Sequence, residues 1–256
     1  MSTAPLEGRH AVVTGGGRGI GAAIARRLAR EGAVVTVTGR SPDPLEALVA
    51  ELGSGAALVM DVTDAGSVAE GMAAAAERAG PVDILVNNAG IAASAPFGRI
   101  TEADFDALLD VNVKGIVRCS QAVYGTMTRR GWGRIINIAS TAGLRGYGYT
   151  VAYCASKHAV IGLTRALALE SARAGVTVNA VCPGFTATEL LERSLENIIA
   201  KTGKSRDEAA AALVESNPQG RFVEPEEVAA AVAWLCGPGS DAITGQSIAV
   251  AGGEVT

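Results

Sequence analysis

Thr14-Gly15-Gly16-Gly17-Arg18-Gly19-Ile20-Gly21 is the stretch that decides the fold. It lies between a short β-branched run at 11–14 and an alanine-rich segment of helical period at 21–30. It therefore reads as the turn from a first strand into a first helix. Glycines 15, 19 and 21 let the chain turn sharply, approach a bound group closely and seat the helix on the strand. Free N–H groups are then left pointing at an anion. The spacing is G-x-x-x-G-x-G rather than the commoner G-x-G-x-x-G, and a glycine cluster alone also suits a turn that binds nothing. Its place directly after the first strand is what favours a phosphate.

Outward from this turn the pattern repeats. Apolar runs at 34–38, 57–60, 84–86, 134–139, 176–181 and 247–250 alternate with helix-period segments at 44–52, 68–79, 103–128, 152–173 and 225–235. Strand–helix alternation with strands apolar throughout predicts an α/β fold: a doubly wound, seven-stranded parallel sheet with helices on both faces. Such sheets bind ligands at the carboxyl ends of their strands. One stretch, 186–217, breaks the rhythm after the sixth strand. It carries two helical pieces, 190–200 and 207–215, split at Thr202-Gly203, and its position makes it a candidate helical lid.

Composition bounds the rest. With 256 residues, 48% of them hydrophobic, the chain fits a single domain over 1–256, near the upper size for one core. A net charge of −4 offers no general polyanion surface, and 4% aromatics are too few for a single-strand stacking platform, so no nucleic acid partner is expected. No apolar run reaches membrane-spanning length and the first residues do not read as a signal peptide, so a cytoplasmic protein without a membrane partner is expected. Cys119, Cys154, Cys182 and Cys236 are irregularly spaced and read as reduced, mostly buried thiols. His10 and His158 have no metal-ligand spacing, and no metal is expected.

The end of the second strand reads Thr38-Gly39-Arg40-Ser41. A carboxylate there would take a ribose 2′-hydroxyl, whereas a guanidinium suits a 2′-phosphate. Arg40, with Arg18 in the glycine turn, points to NADP(H) over NAD(H).

Further markers follow in order: Asp61-Val62, Asn87-Asn88-Ala89-Gly90, Asn112, Ser140, Tyr153-Cys154-Ala155-Ser156-Lys157 and Pro183-Gly184. Together with the glycine turn they resemble the short-chain dehydrogenases/reductases over nearly the whole chain. The resemblance implies a Rossmann fold, a homotetramer, and interconversion of a ketone and a secondary alcohol with a nicotinamide cofactor. It implies a catalytic tetrad of Asn112, Ser140, Tyr153 and Lys157. The chemistry agrees, because hydride transfer to a ketone leaves an alkoxide that needs a proton donor and a polarising hydrogen bond. Tyr153 supplies the phenol. Lys157, one helical turn on, supplies a cation that favours the phenolate, and Ser140 a hydroxyl for the substrate oxygen. By resemblance Lys157 also binds the nicotinamide ribose, and Asn112 holds a water that links Lys157 to solvent.

The resemblance further carries Gly15, Gly17, Arg18, Gly19, Ile20 and Gly21 to the phosphates, with Arg40, and Asp61 and Val62 to the adenine. Asn87, Ala89 and Gly90 fall on the adenosine side. Tyr153 and Lys157 stand at the nicotinamide, with Pro183, Gly184, Thr186 and Thr188. Tyr147 and Tyr149 have no lysine four residues on and read as walls of the substrate site or as packing residues. Leu190, on the lid, joins Ser140 and Tyr153 as a substrate contact.

Three stretches, 138–143, 178–185 and 220–239, look most like 3-oxoacyl and polyketide ketoreductases. That implies a ketone substrate linked to acyl carrier protein or CoA, with Arg129, Arg130, Arg134 and Arg173 as candidate receivers of a pantetheine phosphate against an equal reading as solvated surface. A general secondary-alcohol, cyclic-alcohol or hydroxysteroid dehydrogenase is the second reading. A non-catalytic nucleotide-sensing regulator is the third.

Overall fold

The computed structural model describes residues 4–255. Seven strands form one sheet: β1 (His10–Thr14), β2 (Val34–Gly39), β3 (Ala56–Val59), β4 (Ile84–Asn87), β5 (Gly133–Ile138), β6 (Val176–Pro183) and β7 (Ser247–Val250). The order is β3-β2-β1-β4-β5-β6-β7 and every pairing is parallel. The order reverses between β1 and β4, which opens a crevice beyond their carboxyl ends. Strand positions read from the sequence agree to within a residue or two, because strands buried on both faces leave continuous apolar runs.

Among the described residues the α-helices are α1 (Gly19–Arg30), α2 (Pro42–Leu52), α3 (Ala65–Ala79), α4 (Glu102–Leu109), α5 (Gly115–Arg130), α6 (Val151–Ser171), α7 (Glu189–Thr202), α8 (Arg206–Val214) and α9 (Pro225–Cys236). They cover both faces. Ala11 and Val13 of β1 join α1, α2 and α9 in one core, while Val12 between them joins α3 and α5 in the other. The pleat of one strand thus feeds both layers. Burying these side chains is worth about 1.5–3 kcal/mol for each large aliphatic, and it fixes where the strand ends point.

One helix expected as continuous, 103–128, is interrupted. Asp110–Lys114 forms a π-helical turn between α4 and α5. The extra residue rotates the side chains that follow and buries Asn112 completely. The two lid pieces also differ slightly from expectation. Gly203 ends α7 in the left-handed region (φ +70°), and a Ser205–Glu208 capping box opens α8.

The basic patch at the opposite end of the sheet is smaller than the sequence suggested. Arg134 is 2% exposed and reaches Asp241 at 2.6 Å, with its guanidinium over Trp132; Arg130 pairs with Asp83 at 2.9 Å. Both are committed to ion pairs, but only Arg134 is withdrawn from the surface: Arg130 stays exposed together with Arg129 and Arg173. All four cysteines are buried and unpaired. Among the described residues no helix is long and apolar enough to cross a membrane, and no cluster of His, Cys, Asp or Glu could hold a metal ion.

Candidate active site

The glycine turn is built for an anion. Gly15 and Gly19 hold positive φ (+62° and +49°), and the residue before α1, Arg18, makes no side-chain cap. The first N–H groups of α1 are therefore left to whatever lies in front of them. A Cβ on Gly21 would collide with the Gly15 carbonyl oxygen and stand 2.5 Å from Asn88 Nδ2. Only glycine lets the helix sit this close to the turn.

The turn is stitched to β4 by a pair that sequence reading missed. Thr14 Oγ1 accepts from the N–H groups of Asn88 and Ala89 (3.0 Å each), and Asn88 Nδ2 donates to the carbonyls of Thr14 and Gly15 (3.0 Å each). Asn87, its neighbour, turns the other way. Its side chain is 2% exposed and donates to Asn137 Oδ1 (2.9 Å) and Ser120 Oγ (3.2 Å) inside the structure. The strand alternation of two adjacent asparagines turns this side chain inward and leaves the main chain of Asn87 for the adenosine side.

Beyond the turn, Gly15, Arg40, Asp61, Val62, Ala89 and Gly90 line one cleft, joined by Thr63, Ile91 and Val111, which the sequence did not single out. Asp61 is held well below the usual carboxylate range, chiefly by the Thr63 N–H (2.9 Å) and hydroxyl (2.8 Å), with Arg40 and Arg118 adding attraction. Arg40 is exposed at the cleft rim. Arg18 is placed differently: its Nη1 reaches Glu189 Oε2 at the start of α7 (3.2 Å), and both side chains are exposed. An uncapped helix start, a cradle closed to side chains and a rim guanidinium together fit a phosphorylated dinucleotide.

Near the carboxyl end of β6, Gly184 pairs with Val250 and Thr186 is 7% exposed in an isolated bridge to Val223. Thr188, the residue before α7, lies against the glycine turn, where a Cβ on Gly19 would meet its side chain at 3.2 Å.

The tetrad residues converge beside this cleft. Ser140 follows β5, opens a 3₁₀ turn (Thr141–Gly143) and accepts from the Ala142 N–H at 3.1 Å. Tyr153 and Lys157 lie one turn apart on α6. Burial pushes the Tyr153 phenol up, and a hydrogen bond with the Ser140 side chain pulls it partly back. Lys157 is 6% exposed; burial brings its ammonium down to about 8. Its Nζ donates to the Ile138 carbonyl (2.8 Å) and lies 5.8 Å from the Tyr153 ring centroid. The lysine is thus turned to the end of β5, and desolvation governs both groups more than their mutual attraction does.

Asn112 is fully engaged by its side chain. Oδ1 accepts from the Ile91 N–H (2.9 Å), and Nδ2 donates to the Ile91 carbonyl (2.9 Å) and to Ser156 Oγ (3.1 Å). Both amide hydrogens are taken, so no side-chain donor remains for a water. His158 is exposed and its Nδ1 shares a hydrogen bond with the Cys154 carbonyl (2.9 Å).

The expected substrate residues separate into two groups. Tyr147 is half-buried, its ring edge-on to Phe185 with centroids 6.3 Å apart. Tyr149 is 70% exposed with φ +65°, an uncommon backbone for a bulky residue, and its carbonyl accepts from the Ala95 N–H at 2.8 Å. Leu190 is 48% exposed, whereas Leu191 and Leu195 pack with Ala209 to form the lid's own core. The apolar face of α7 is consumed largely by lid packing.

Comparison with known proteins places this geometry. The short chain dehydrogenase family model matches residues 9–198. Short-chain reductase protein NovJ of Streptomyces niveus is 41% identical over 248 residues, covering 95% of this chain and 93% of that protein. The 3-oxoacyl-(acyl-carrier-protein) reductase FabG of Vibrio cholerae is 39% identical over 249 residues, covering 97% of this chain and 98% of that one. A crystal structure of a variant actinorhodin polyketide ketoreductase with NADPH superimposes with a TM-score of 0.93 at 41% identity, covering 99% of each chain. The chain belongs to the short chain dehydrogenase family.

Proposed function

We propose that this protein is an NADP(H)-dependent ketoreductase acting on a 3-oxoacyl thioester or polyketide-type ketone. The observation that carries the reading is the convergence of Ser140, Tyr153 and Lys157 beside a cleft whose rim bears Arg40 and whose lining includes Gly15 of the glycine turn. Relatives named 3-oxoacyl reductase and polyketide ketoreductase support the substrate class.

A bound NADPH supplies the hydride. The chain's own residues supply the rest. The Ser140 hydroxyl hydrogen-bonds the carbonyl oxygen and polarises it, and the Tyr153 hydroxyl gives its proton to that oxygen as negative charge develops. A phenol kept protonated by burial is suited to reduction, because the proton is present at neutral pH. Lys157 binds the nicotinamide ribose and holds positive charge beneath the site. Asn112 acts as a positioning residue, tying the 91 loop to Ser156 next to Lys157. Gly15–Gly21, Asp61, Val62, Ala89, Gly90, Pro183, Gly184, Thr186 and Thr188 hold the dinucleotide. Tyr147 and Tyr149 wall the ketone's side of the site. The reading takes residues 1–256 as one cytoplasmic domain in a homotetramer.

Oxidation of NADPH with acetoacetyl-CoA, run beside a panel of cyclic ketones, tests the substrate class. Thioester turnover is the expected result. Turnover of cyclic ketones alone would move the protein to the dehydrogenase reading.

Two consequences follow for the cofactor end and for pH. Arg40→Ala removes the rim guanidinium, and a charge-assisted hydrogen bond of about 1.5–3 kcal/mol corresponds to roughly 10- to 100-fold weaker NADPH binding. Fluorescence titration should show that loss for NADPH and less than about a twofold change for NADH. For pH, Lys157 carries its charge below about 8, so kcat/KM for reduction should fall as pH rises through that value. Lys157→Met should lose that limb along with most activity, because kcat/KM reports groups of the free enzyme.

A further inference from the structure

Glu254 is a carboxylate that the family's tetrad does not use, yet it is only 8% exposed. It follows β7 in the sequence Ala251-Gly252-Gly253-Glu254. Gly252 and Gly253 both hold positive φ (+60° and +92°), and the turn closes with the Glu254 N–H donating to the Ala251 carbonyl at 3.1 Å. The turn lies directly on the end of the lid segment. A Cβ on Gly252 would collide with Asn217 Oδ1, and one on Gly253 would meet the Pro218 ring at 3.3 Å. Two adjacent left-handed residues are what aim Glu254 inward.

What the carboxylate touches is specific. Oε1 accepts from the Tyr147 hydroxyl at 2.5 Å and from Ser216 Oγ at 2.8 Å. Ser216 stands at the end of the lid segment, just beyond α8. The Tyr147 hydroxyl also shares a hydrogen bond with Thr141 Oγ1 (2.7 Å), the residue next to Ser140. Its ring faces Phe185, which packs against the lid core. Among the described residues, the cation in contact with this cluster is Arg145, whose guanidinium lies over the Tyr147 ring at 5.0 Å and whose Nη1 reaches the Glu254 main-chain carbonyl at 3.4 Å. Burial and Glu254 together push the Tyr147 phenol up, so this phenol keeps its proton directed at the carboxylate and away from the ketone.

We propose that Glu254 is a positioning residue for the reaction: it clasps the end of the lid, through Ser216, to the Tyr147 wall and the Ser140 turn, and so sets the depth of the substrate site. The proposal deepens the ketoreductase reading and rests on it for its kinetic arm. Two hydroxyls on one buried carboxylate oxygen are charge-assisted hydrogen bonds, the kind able to hold two segments in register. The carboxylate is linked to the reacting atoms through Tyr147, Thr141 and the lid, and its Oε2 lies against Gly184, where a Cβ would meet it at 3.0 Å, so its loss should act on substrate fit more than on proton transfer.

The test compares Glu254→Ala, Glu254→Gln and the milder Ser216→Ala with the wild-type chain, by amide hydrogen exchange of the free protein and by steady-state kinetics with a ketone. In Glu254→Ala, exchange should speed up at least fivefold across 187–217 with β1 and β4 unchanged, and KM for the ketone should rise about tenfold with kcat within threefold. Glu254→Gln keeps an oxygen that accepts both hydroxyls and should recover most of the wild-type KM. Ser216→Ala should loosen the lid without altering Tyr147. Unchanged lid exchange in Ser216→Ala and Glu254→Ala overturns the clasp. So does loosening that spreads equally into the sheet, or a Gln variant as impaired as Ala. If the wild-type chain reduces no ketone, the ketoreductase reading fails, while the exchange comparison, which needs no turnover, still decides the clasp.

Discussion

Tyr153→Phe should lower kcat/KM for ketone reduction by about 10³-fold or more while leaving NADPH affinity within about threefold of wild type. The substitution removes one oxygen and keeps the ring, so the packing of α6 on the Ser140 turn survives. What is lost is the proton donor. General acid catalysis is worth roughly 10²- to 10⁴-fold, and no other phenol can take the role: Tyr147 is bound to Glu254, and Tyr149 is 70% exposed at the rim. Stopped-flow hydride transfer together with cofactor titration separates the two effects. A variant with near-normal turnover would remove Tyr153 from the chemistry. A variant that fails to bind NADPH would show instead that the phenol is structural.

The second large effect lies at the opposite end of the cleft. Gly21→Ala places a methyl group against the Gly15 carbonyl and Asn88 Nδ2, both held by the Thr14–Asn88 stitch. Neither is the loose end of a flexible side chain, so α1 must move away from β1. Overpacking of this kind costs about 1–3 kcal/mol of stability, and displacing the helix start from the phosphates should weaken dinucleotide binding by about 100-fold or more. Thermal unfolding with and without NADPH reads both effects. The variant should melt lower and should lose the stabilisation that saturating cofactor gives the wild-type protein. Equal stabilisation by NADPH in both proteins would contradict the assignment of the turn.

The sheet was legible because its strands are apolar on both faces and its turns are marked by glycine, so seven strands and their order of helices could be read directly. Asn112 shows where legibility stops. Its π-helical turn inserts one residue into a helix whose sequence carries no proline or capping signal to announce it, and the turn arises from burying the amide on Ile91 and Ser156. The tetrad residues were implied by the family resemblance, with the Tyr153–Lys157 spacing beside it, but their titration was not legible. Whether Lys157 lowers the Tyr153 phenol or burial raises it depends on solvent access and on the reach of Nζ to Ile138, which spacing along a helix cannot supply. The contacts of Arg18 and Glu254 escape the sequence for another reason. Their partners, Glu189 and Tyr147, are more than a hundred residues away in sequence, and single-residue reading assigns a charge to its nearest plausible ligand.

In the proposed reaction hydride passes from NADPH to a ketone carbon while Tyr153 protonates the oxygen. Mass analysis of the product formed with NADPH deuterated at both C4 positions of its dihydronicotinamide tests it most directly. The expected product is an alcohol one mass unit heavier than that formed with unlabelled NADPH, with the deuterium on the former carbonyl carbon, and no such product from Tyr153→Phe under the same conditions. Absence of the alcohol, or an alcohol without the label, would contradict it.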